Sequence, residues 1–170
     1  MLEKQIKVIK MKAAILAELN KDLVVDTVET PPILSYGQVL LKVEYSSICG
    51  SQIGEIDGVK GEDQYLPHLL GHEGSGKILE VGPGVKFVQK GDHVVLHWKK
   101  GKGIDAEMPR YKWNDRTLNA GAITSFNEYA IVSENRVTSI PKEFNLEHAA
   151  LLGCAVLTGL GVVTNDAQLK

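Results

Sequence analysis

The sequence predicts a mainly β fold with few helices, and three observations favour it. Short apolar segments follow one another along most of the chain. Glycine and proline recur between them, most densely from position 50 to position 91, which is typical of strands joined by turns. Hydrophobic residues make up 44% and charged residues 24% of the 170 residues, an ordinary globular composition. Together these features predict a β-barrel or a β-sandwich.

Six segments are predicted to be strands because they are apolar or alternating and are bounded by turn-forming residues. The six segments are residues 13–17, 23–28, 39–45, 77–81, 93–96 and 126–132. Pro31, Pro32 and Gly37 precede the third of them, as expected if proline is excluded from a central strand. Residues 97–122 carry many Lys and Arg residues and little periodicity, so we expect a long exposed loop there.

The segment after the last strand is predicted to form a helix over residues 146–163. Asn145 is a suitable N-cap, Glu147 lies in the first turn, and apolar residues run almost unbroken from 149 to 156. A helix that is apolar on most of its sides requires burial, but no further segment of the sequence is predicted to cover it, so we expect an exposed apolar face over residues 151–163.

Charge and hydropathy exclude several classes of protein. The chain has 19 Lys and Arg against 21 Asp and Glu, a net charge of −2, so a basic nucleic-acid binder is not expected. No 18-residue apolar run occurs, and we expect no membrane span. The first ten residues are charged and contain no apolar signal core, which predicts a cytoplasmic protein. Two cysteines are too few for a disulfide framework.

Three polar groups are candidates for a metal site. Cys49 follows a predicted strand, His72 and Glu73 lie between glycines, and Cys154 lies in the predicted helix. Two thiolates and one imidazole form a zinc ligand set that leaves a fourth position for water or substrate. Taken singly, each residue is more often structural, because a cysteine is usually a small buried hydrophobe and a His-Glu pair is usually solvated. The other histidines lie in no ligand-like sequence frame.

The residues around these candidates resemble a known family. The segment that contains His72 is similar to the signature of the zinc-containing alcohol dehydrogenases of the medium-chain dehydrogenase/reductase superfamily. Its matching residues are Gly71, His72, Glu73, Gly76, Gly82 and Val85. The segments that begin at Ser125 and Gly153 are most similar to the branch that contains glutathione-dependent formaldehyde dehydrogenase. The resemblance covers residues 11–170.

The resemblance implies a GroES-like, partly open β-barrel with a few short helices and a C-terminal helix. It also implies that Cys49, His72 and Cys154 hold one catalytic zinc ion. Glu73 would approach the metal or steady it, and Ser51 corresponds to the hydroxyl that relays the substrate proton. Bound zinc lowers the pKa of an alcohol, which prepares the alcohol to release a hydride.

The implied reaction is hydride transfer between a small alcohol or its carbonyl partner and NAD(H), in a homo-oligomer. Thr158 is expected to contact the cofactor. The family's dinucleotide fingerprint, G-x-G-x-x-G after a strand, does not occur in the sequence. We therefore expect an N-terminal extension (1–10), a GroES-like catalytic domain (11–150) and the start of a connection to a missing Rossmann domain (151–170). Without that domain the chain is expected to be inactive.

Three features depart from the family pattern. Residues 97–122 contain no cysteine where the family has its structural zinc lobe, so at most one zinc site is predicted. Gly50 and Gly54 occupy positions where relatives have a cofactor-binding arginine and the last histidine of the proton relay. Gln52 replaces the acid that orients the ligand histidine, which predicts a weaker interaction with the metal site.

Two alternative functions remain open. A zinc-free quinone reductase of the same superfamily does not need the two thiolates, and a non-catalytic, co-chaperonin-like GroES barrel has no use for three convergent ligands. Bound zinc distinguishes both from the dehydrogenase. The Lys- and Arg-rich segment 99–116 contains aromatic residues but also acidic ones, so a solvated loop is favoured over a nucleic-acid surface.

Overall fold

Twelve strands and three short α-helices occur in the computed structural model, which describes residues 3–167. The strands are β1 (Glu3–Gln5), β2 (Lys10–Leu16), β3 (Val24–Glu29), β4 (Ile33–Ser35), β5 (Gln38–Ser46), β6 (His68–Leu69), β7 (Gly74–Val81), β8 (His93–Leu96), β9 (Arg110–Trp113), β10 (Arg116–Asn119), β11 (Tyr129–Ser133) and β12 (Val137–Ile140). The helices are α1 (Gly50–Ile56), α2 (Leu146–Ala149) and α3 (Ala155–Gly161). The remaining helical segments are two short 3-10 helices, at Glu134–Arg136 and Ala150–Gly153, and one π-helical segment at Val162–Asp166.

Five strands close into a barrel in the order β10-β6-β2-β3-β9. In β2 the residues Met11, Ala13 and Ile15 are buried, whereas Lys10 and Lys12 are exposed, so one face of the strand enters the barrel core. Val28 and Leu118 continue this core. The predicted mainly β barrel is confirmed, although its strands close where a partly open barrel was expected.

A second sheet of five strands has the order β11-β5-β7-β8-β12. β5 is nine residues long, and its side chains Val39 and Leu41 pack with Ile78, Val94 and Val132 in a second core cluster. β5 and β7 are antiparallel, so the end of β5 lies beside the start of β7. The segments that follow β5 and precede β7 therefore meet at one end of these strands, and three of the candidate ligands, Cys49, His72 and Glu73, lie on them.

Residues 3–10 contribute to the fold. β1 pairs antiparallel with β4, and Ile6 and Ile9 pack against the barrel core. The predicted extension therefore makes backbone and apolar contacts with the β structure.

The second half of residues 97–122 is not the exposed loop that the sequence predicted. β9 and β10 form an antiparallel hairpin within the barrel. Tyr111 and Leu118 are buried, and the hydroxyl of Tyr111 accepts the N–H of Ile131 at 2.7 Å. The prediction was wrong because each strand of this hairpin has only one buried side chain, and the basic residues around it are exposed. The sequence therefore shows no clear alternation of apolar and polar residues.

The first half of that region is a loop held by a buried carboxylate. Glu134 is 1% exposed, and its Oε1 accepts the backbone N–H of Lys86 at 2.5 Å and that of Phe87 at 2.9 Å. Its Oε2 accepts the N–H of Ile104 at 2.8 Å. Of these donors only Ile104 belongs to the loop, and Lys86 and Phe87 follow β7, so the carboxylate ties both segments to the end of β11.

Replacement of Glu134 by Ala is expected to lower the free energy of unfolding by about 2–3 kcal/mol. Three backbone N–H groups lose their acceptor, and each unmet donor costs about 1 kcal/mol or more when it stays buried. Urea denaturation of both chains measures the difference. Glu143→Ala removes an exposed carboxylate nearby and should change stability by less than about 0.5 kcal/mol. Equal losses in the two variants would show that Glu134 does not anchor the loop.

The N-cap predicted for the C-terminal helix is confirmed. Oδ1 of Asn145 accepts the N–H of Glu147 at 2.8 Å and that of His148 at 3.2 Å, which satisfies two donors at the start of α2.

The rest of the predicted helix over 146–163 is divided. The backbone leaves the helical path at Cys154 (φ −148°, ψ −63°), and the two parts, Leu146–Gly153 and Ala155–Asp166, are bent by 55°. The prediction of one continuous helix was therefore wrong, whereas the expected exposure of its apolar face agrees with α3, which contains no buried residue. Within residues 3–167 no single helix has the length and composition to cross a membrane, and this bent pair meets those criteria only if its parts are taken together.

Candidate metal centre

Cys49 lies where β5 gives way to α1. It is the N-cap residue of α1 and has an extended backbone (φ −97°, ψ 148°). Gln52, in the first turn of the helix, accepts the N–H of Cys49 with its Oε1 at 3.2 Å. The helix start therefore fixes the backbone that carries the first thiol.

His72 and Glu73 lie on the segment that leads into β7. Gly71 has a φ of +100°, and a Cβ at this position would lie 2.2 Å from Oγ of Ser125, so the turn requires glycine. Oγ of Ser125 donates to the backbone carbonyl of Glu73 at 2.9 Å, and Oγ of Ser46 does so at 3.1 Å. These two serines position the segment. The sequence analysis did not assign them this role, although Ser125 begins one of the family-like segments.

Cys154 lies at the break between α2 and α3. The preceding residue, Gly153, packs so closely on β8 that an added Cβ would lie 2.0 Å from the carbonyl oxygen of Leu96. This contact brings Cys154, which is 8% exposed, beside Cys49, with the two Sγ atoms 3.9 Å apart. The interruption of the helix is thus what places the second thiol at the site.

The four predicted residues converge. One ligand atom from each of Cys49, His72, Glu73 and Cys154 lies within 4.8 Å of the others. Such spacings suit a single ion, because zinc binds nitrogen and oxygen at about 2.0–2.2 Å and sulfur at about 2.3 Å. Nε2 of His72 is buried and has no hydrogen-bond partner in the described part of the chain. A metal ion would satisfy this atom.

The electrostatics of the site also favour a cation. Glu73 is 1% exposed, and its Oε2 accepts only a backbone N–H, that of Ala155 at 3.1 Å. Among residues 3–167, no lysine or arginine forms a salt bridge with this carboxylate. A buried carboxylate next to two thiols is costly without a positive partner.

The pKa values of the thiols and the imidazole are shifted in different directions. Hydrogen bonds from Ser51, through its side chain and its backbone, lower the pKa of the Cys49 thiol. Burial raises the pKa of the Cys154 thiol, and the neighbouring Cys49 raises it further. Burial lowers the pKa of His72, so its imidazole is neutral near pH 7 and keeps a lone pair for a metal. The Cys154 thiol is therefore the one whose deprotonation depends most on a bound cation.

Three further residues named by the sequence analysis lie near this group. Oγ of Ser51 is 3.4 Å from Nδ1 of His72, and the Gln52 side-chain amide contacts the same nitrogen. Gln52 therefore touches the ring that the family's acid would orient. Thr158 is exposed on α3, and its N–H donates to the carbonyl of Cys154 at 2.9 Å. The relay role of Ser51 and the cofactor contact of Thr158 stay predictions.

A cavity of about 630 Å³ opens beside the site. His72 and Gln52 line one part of it, and further along its wall lie Glu55, Asp63 and His68. The cavity is large enough for a small organic substrate next to the candidate ligands.

Comparison with known proteins agrees with this geometry. Residues 35–142 match the model of the alcohol dehydrogenase GroES-like domain family. An S-(hydroxymethyl)glutathione dehydrogenase of Synechocystis sp. is 32% identical over 186 residues, covering 95% of this chain and 50% of that protein. The chain spans about half the length of the curated relatives it matches.

Solved structures share the fold. An alcohol dehydrogenase zinc-binding domain protein from Burkholderia ambifaria superimposes with a TM-score of 0.83 at 25% identity, covering 96% of this chain and 50% of that one. Benzyl alcohol dehydrogenase from Acinetobacter calcoaceticus gives a TM-score of 0.75 at 27% identity, covering 94% of this chain and 48% of the other. With most of its length matched by the family model, this chain belongs to the alcohol dehydrogenase GroES-like domain family.

Proposed function

We propose that this chain is the zinc-binding catalytic domain of an oxidoreductase that moves a hydride between an alcohol or carbonyl compound and a nicotinamide cofactor. The observation that carries the proposal is the convergence of two thiols, an imidazole and a carboxylate within 4.8 Å of one another, beside a cavity. The dehydrogenases among its relatives support the reaction class.

Zinc suits these donors better than other common metals. Thiolate ligands favour zinc over calcium or magnesium, which prefer oxygen. Cys49, Cys154 and His72 would hold the ion, and their two thiolates would balance its charge. Glu73, which has no basic partner within residues 3–167, would steady the ion electrostatically. Zinc bound there would act as a Lewis acid that lowers the pKa of an alcohol in the adjoining cavity.

The chain's own groups have separate tasks in this proposal. The cavity beside His72 holds the alcohol and excludes bulk water from part of its surface. Ser51, whose hydroxyl lies at the exposed edge of the site, accepts the alcohol proton and passes it toward solvent. Gly54 offers no side chain to continue such a relay, so water would take the proton beyond Ser51.

The proposal also includes the cofactor, the substrate and the setting of the protein. NAD(H) is the proposed hydride carrier, with Thr158 as a contact and most of the binding surface supplied from outside these 170 residues. The proposed substrate is a small alcohol or carbonyl compound, and the proposed setting is a cytoplasmic homo-oligomer. The domain limits at residues 10 and 150 belong to the same proposal.

Zinc content and cobalt substitution test the function. The purified chain is expected to bind about one zinc ion after reconstitution and dialysis. Cobalt(II) bound in place of zinc should give thiolate-to-metal charge-transfer absorption. Because a catalytic site leaves one coordination position open, the ligand-field bands of cobalt should also shift when trifluoroethanol is added. A chain that binds no metal would favour the zinc-free quinone-reductase or GroES-like alternative. A cobalt spectrum insensitive to the alcohol would indicate a closed structural site.

A further inference from the structure

A second group of metal-ligating side chains lies on the wall of the same cavity. Glu55 belongs to α1, Asp63 to the loop that follows it, and His68 to β6. One ligand atom of each lies within 4.8 Å of the other two. None of the three belongs to the set formed by the two thiols, His72 and Glu73, so this group requires its own explanation.

The hydrogen bonds of His68 determine which nitrogen faces the carboxylates. Nδ1 lies 2.9 Å from the backbone carbonyl of Leu69, which can only accept, so Nδ1 carries a proton. Nε2 lies 2.9 Å from Oδ2 of Asp63 and 3.8 Å from Oε1 of Glu55. In a neutral ring this nitrogen presents a lone pair to two carboxylates. Either a proton or a metal ion between the three atoms would offset the repulsion of this lone pair and the two carboxylates.

A single proton on Nε2 does not balance the charge. It gives one positive charge against the two negative charges of Asp63 and Glu55, and in the described part of the chain no lysine or arginine forms a salt bridge with either residue. A divalent ion bound to a neutral imidazole and two carboxylates gives a neutral group. The side chains of His68 and Asp63 are 9% and 17% exposed, so the charge balance between them matters energetically, whereas the 40% exposed Glu55 contributes less.

The distances between the donor atoms of His68, Asp63 and Glu55 are compatible with one bound metal ion. Neighbouring donors around an ion at about 2.1 Å lie about 3.0–3.4 Å apart, close to the 2.9 Å between His68 and Asp63. The 3.8 Å to Glu55 requires a small movement of a side chain that is 40% exposed and free to make it. Asp63 is already fixed, because its other oxygen accepts the N–H of Tyr65 at 2.8 Å. The cavity leaves room for water or substrate oxygen to complete the coordination.

We propose that Glu55, Asp63 and His68 bind a divalent transition-metal ion of the Mn²⁺ or Fe²⁺ type, at a site separate from the thiol site. Imidazole with two carboxylates is a ligand set that favours such ions, whereas the thiols select zinc. This proposal does not depend on the proposed function, because it requires neither thiol.

Manganese is the probe for this site. The chain is first given one equivalent of zinc, which the thiols take up, and is then titrated with Mn²⁺ while the electron paramagnetic resonance signal of free Mn²⁺ is recorded. About one Mn²⁺ per chain is expected to bind. Glu55→Gln and Asp63→Asn should each weaken Mn²⁺ binding at least tenfold, since each removes one of three protein ligands. The matched control, Glu62→Gln, removes an exposed neighbouring carboxylate and should leave the affinity unchanged.

The outcomes separate the two sites. Zinc content is measured in every variant, and the expected result is loss of Mn²⁺ binding with zinc retained. His68 is a buried residue of the barrel strand β6, so its removal is expected to destabilise the fold, and the two carboxylate variants carry the test. Absence of Mn²⁺ binding at millimolar concentration, or equal weakening by Glu55→Gln and Glu62→Gln, would overturn the proposal and leave a protonated His68 as the cation.

Discussion

Replacement of Cys154 by Ser is expected to abolish tight zinc binding. The Cys154 thiol is buried and lies 3.9 Å from the thiol of Cys49, and a neutral hydroxyl is a poor substitute for a thiolate ligand. Cys49→Ser and His72→Ala should have the same effect, each lowering zinc affinity by about two orders of magnitude or more. Competition with a chelator of known affinity measures the change.

The controls for this experiment must show that a lost ligand, and not a damaged fold, explains the result. His148→Ala removes an exposed histidine from α2 and should leave zinc affinity unchanged. Circular dichroism of each variant should keep the β signal of the barrel, because none of the three ligands belongs to either core cluster. Full zinc affinity in both cysteine variants would exclude the thiols as ligands.

Substitution of Gly153 by Ala is expected to destabilise the chain by about 3 kcal/mol, at the upper end of the usual cost of overpacking. An added Cβ would lie 2.0 Å from the carbonyl oxygen of Leu96 and 3.1 Å from Cβ of Glu73. Leu96 belongs to β8, an inner strand of the five-stranded sheet, so its carbonyl cannot easily move away. The displaced segment carries Cys154, so zinc affinity should fall as well. Urea denaturation of the metal-free chain and chelator competition measure the two effects.

Gly159 provides the matched control. It also lies in the C-terminal helical region, but a Cβ at this position would meet nothing within 4 Å. Gly159→Ala should therefore stabilise α3 by about 0.5–1 kcal/mol through the higher helix propensity of alanine. If Gly153→Ala proved as stable as Gly159→Ala, the close contact with β8 would not be what places Cys154.

Several strands of the second sheet could be predicted because their side chains follow simple patterns. β5 is apolar and then alternating, and the strand predicted at 93–96 coincides with β8. The hairpin of β9 and β10 could not be recognised, since Tyr111 and Leu118 are its buried residues amid many charged ones. β6 has two residues and is defined only by its partners, so no local signal exists for it.

The candidate metal site also had features that could be predicted and one that could not. Family-like segments identified Cys49, His72, Glu73 and Cys154, and the structure brings these residues together. The break at Cys154 was not predicted, because it depends on the packing of Gly153 against a strand far away in sequence. An uninterrupted apolar run indicates a continuous helix unless that contact is known.

The second cluster had no sequence signal at all. Glu55, Asp63 and His68 match no ligand spacing, and His68 was grouped with the histidines that lie in no ligand-like frame. Their proximity follows from the position of α1 and its following loop beside β6, which is a property of the tertiary fold.

Zinc K-edge X-ray absorption of the chain loaded with one equivalent of zinc tests the thiol site most directly. The expected spectrum has two sulfur atoms at about 2.3 Å and at least one imidazole nitrogen at about 2.0–2.1 Å, with the remaining coordination from oxygen or nitrogen. A first shell without sulfur, or one without imidazole, would contradict the assignment of Cys49, Cys154 and His72 as the ligands of a single ion.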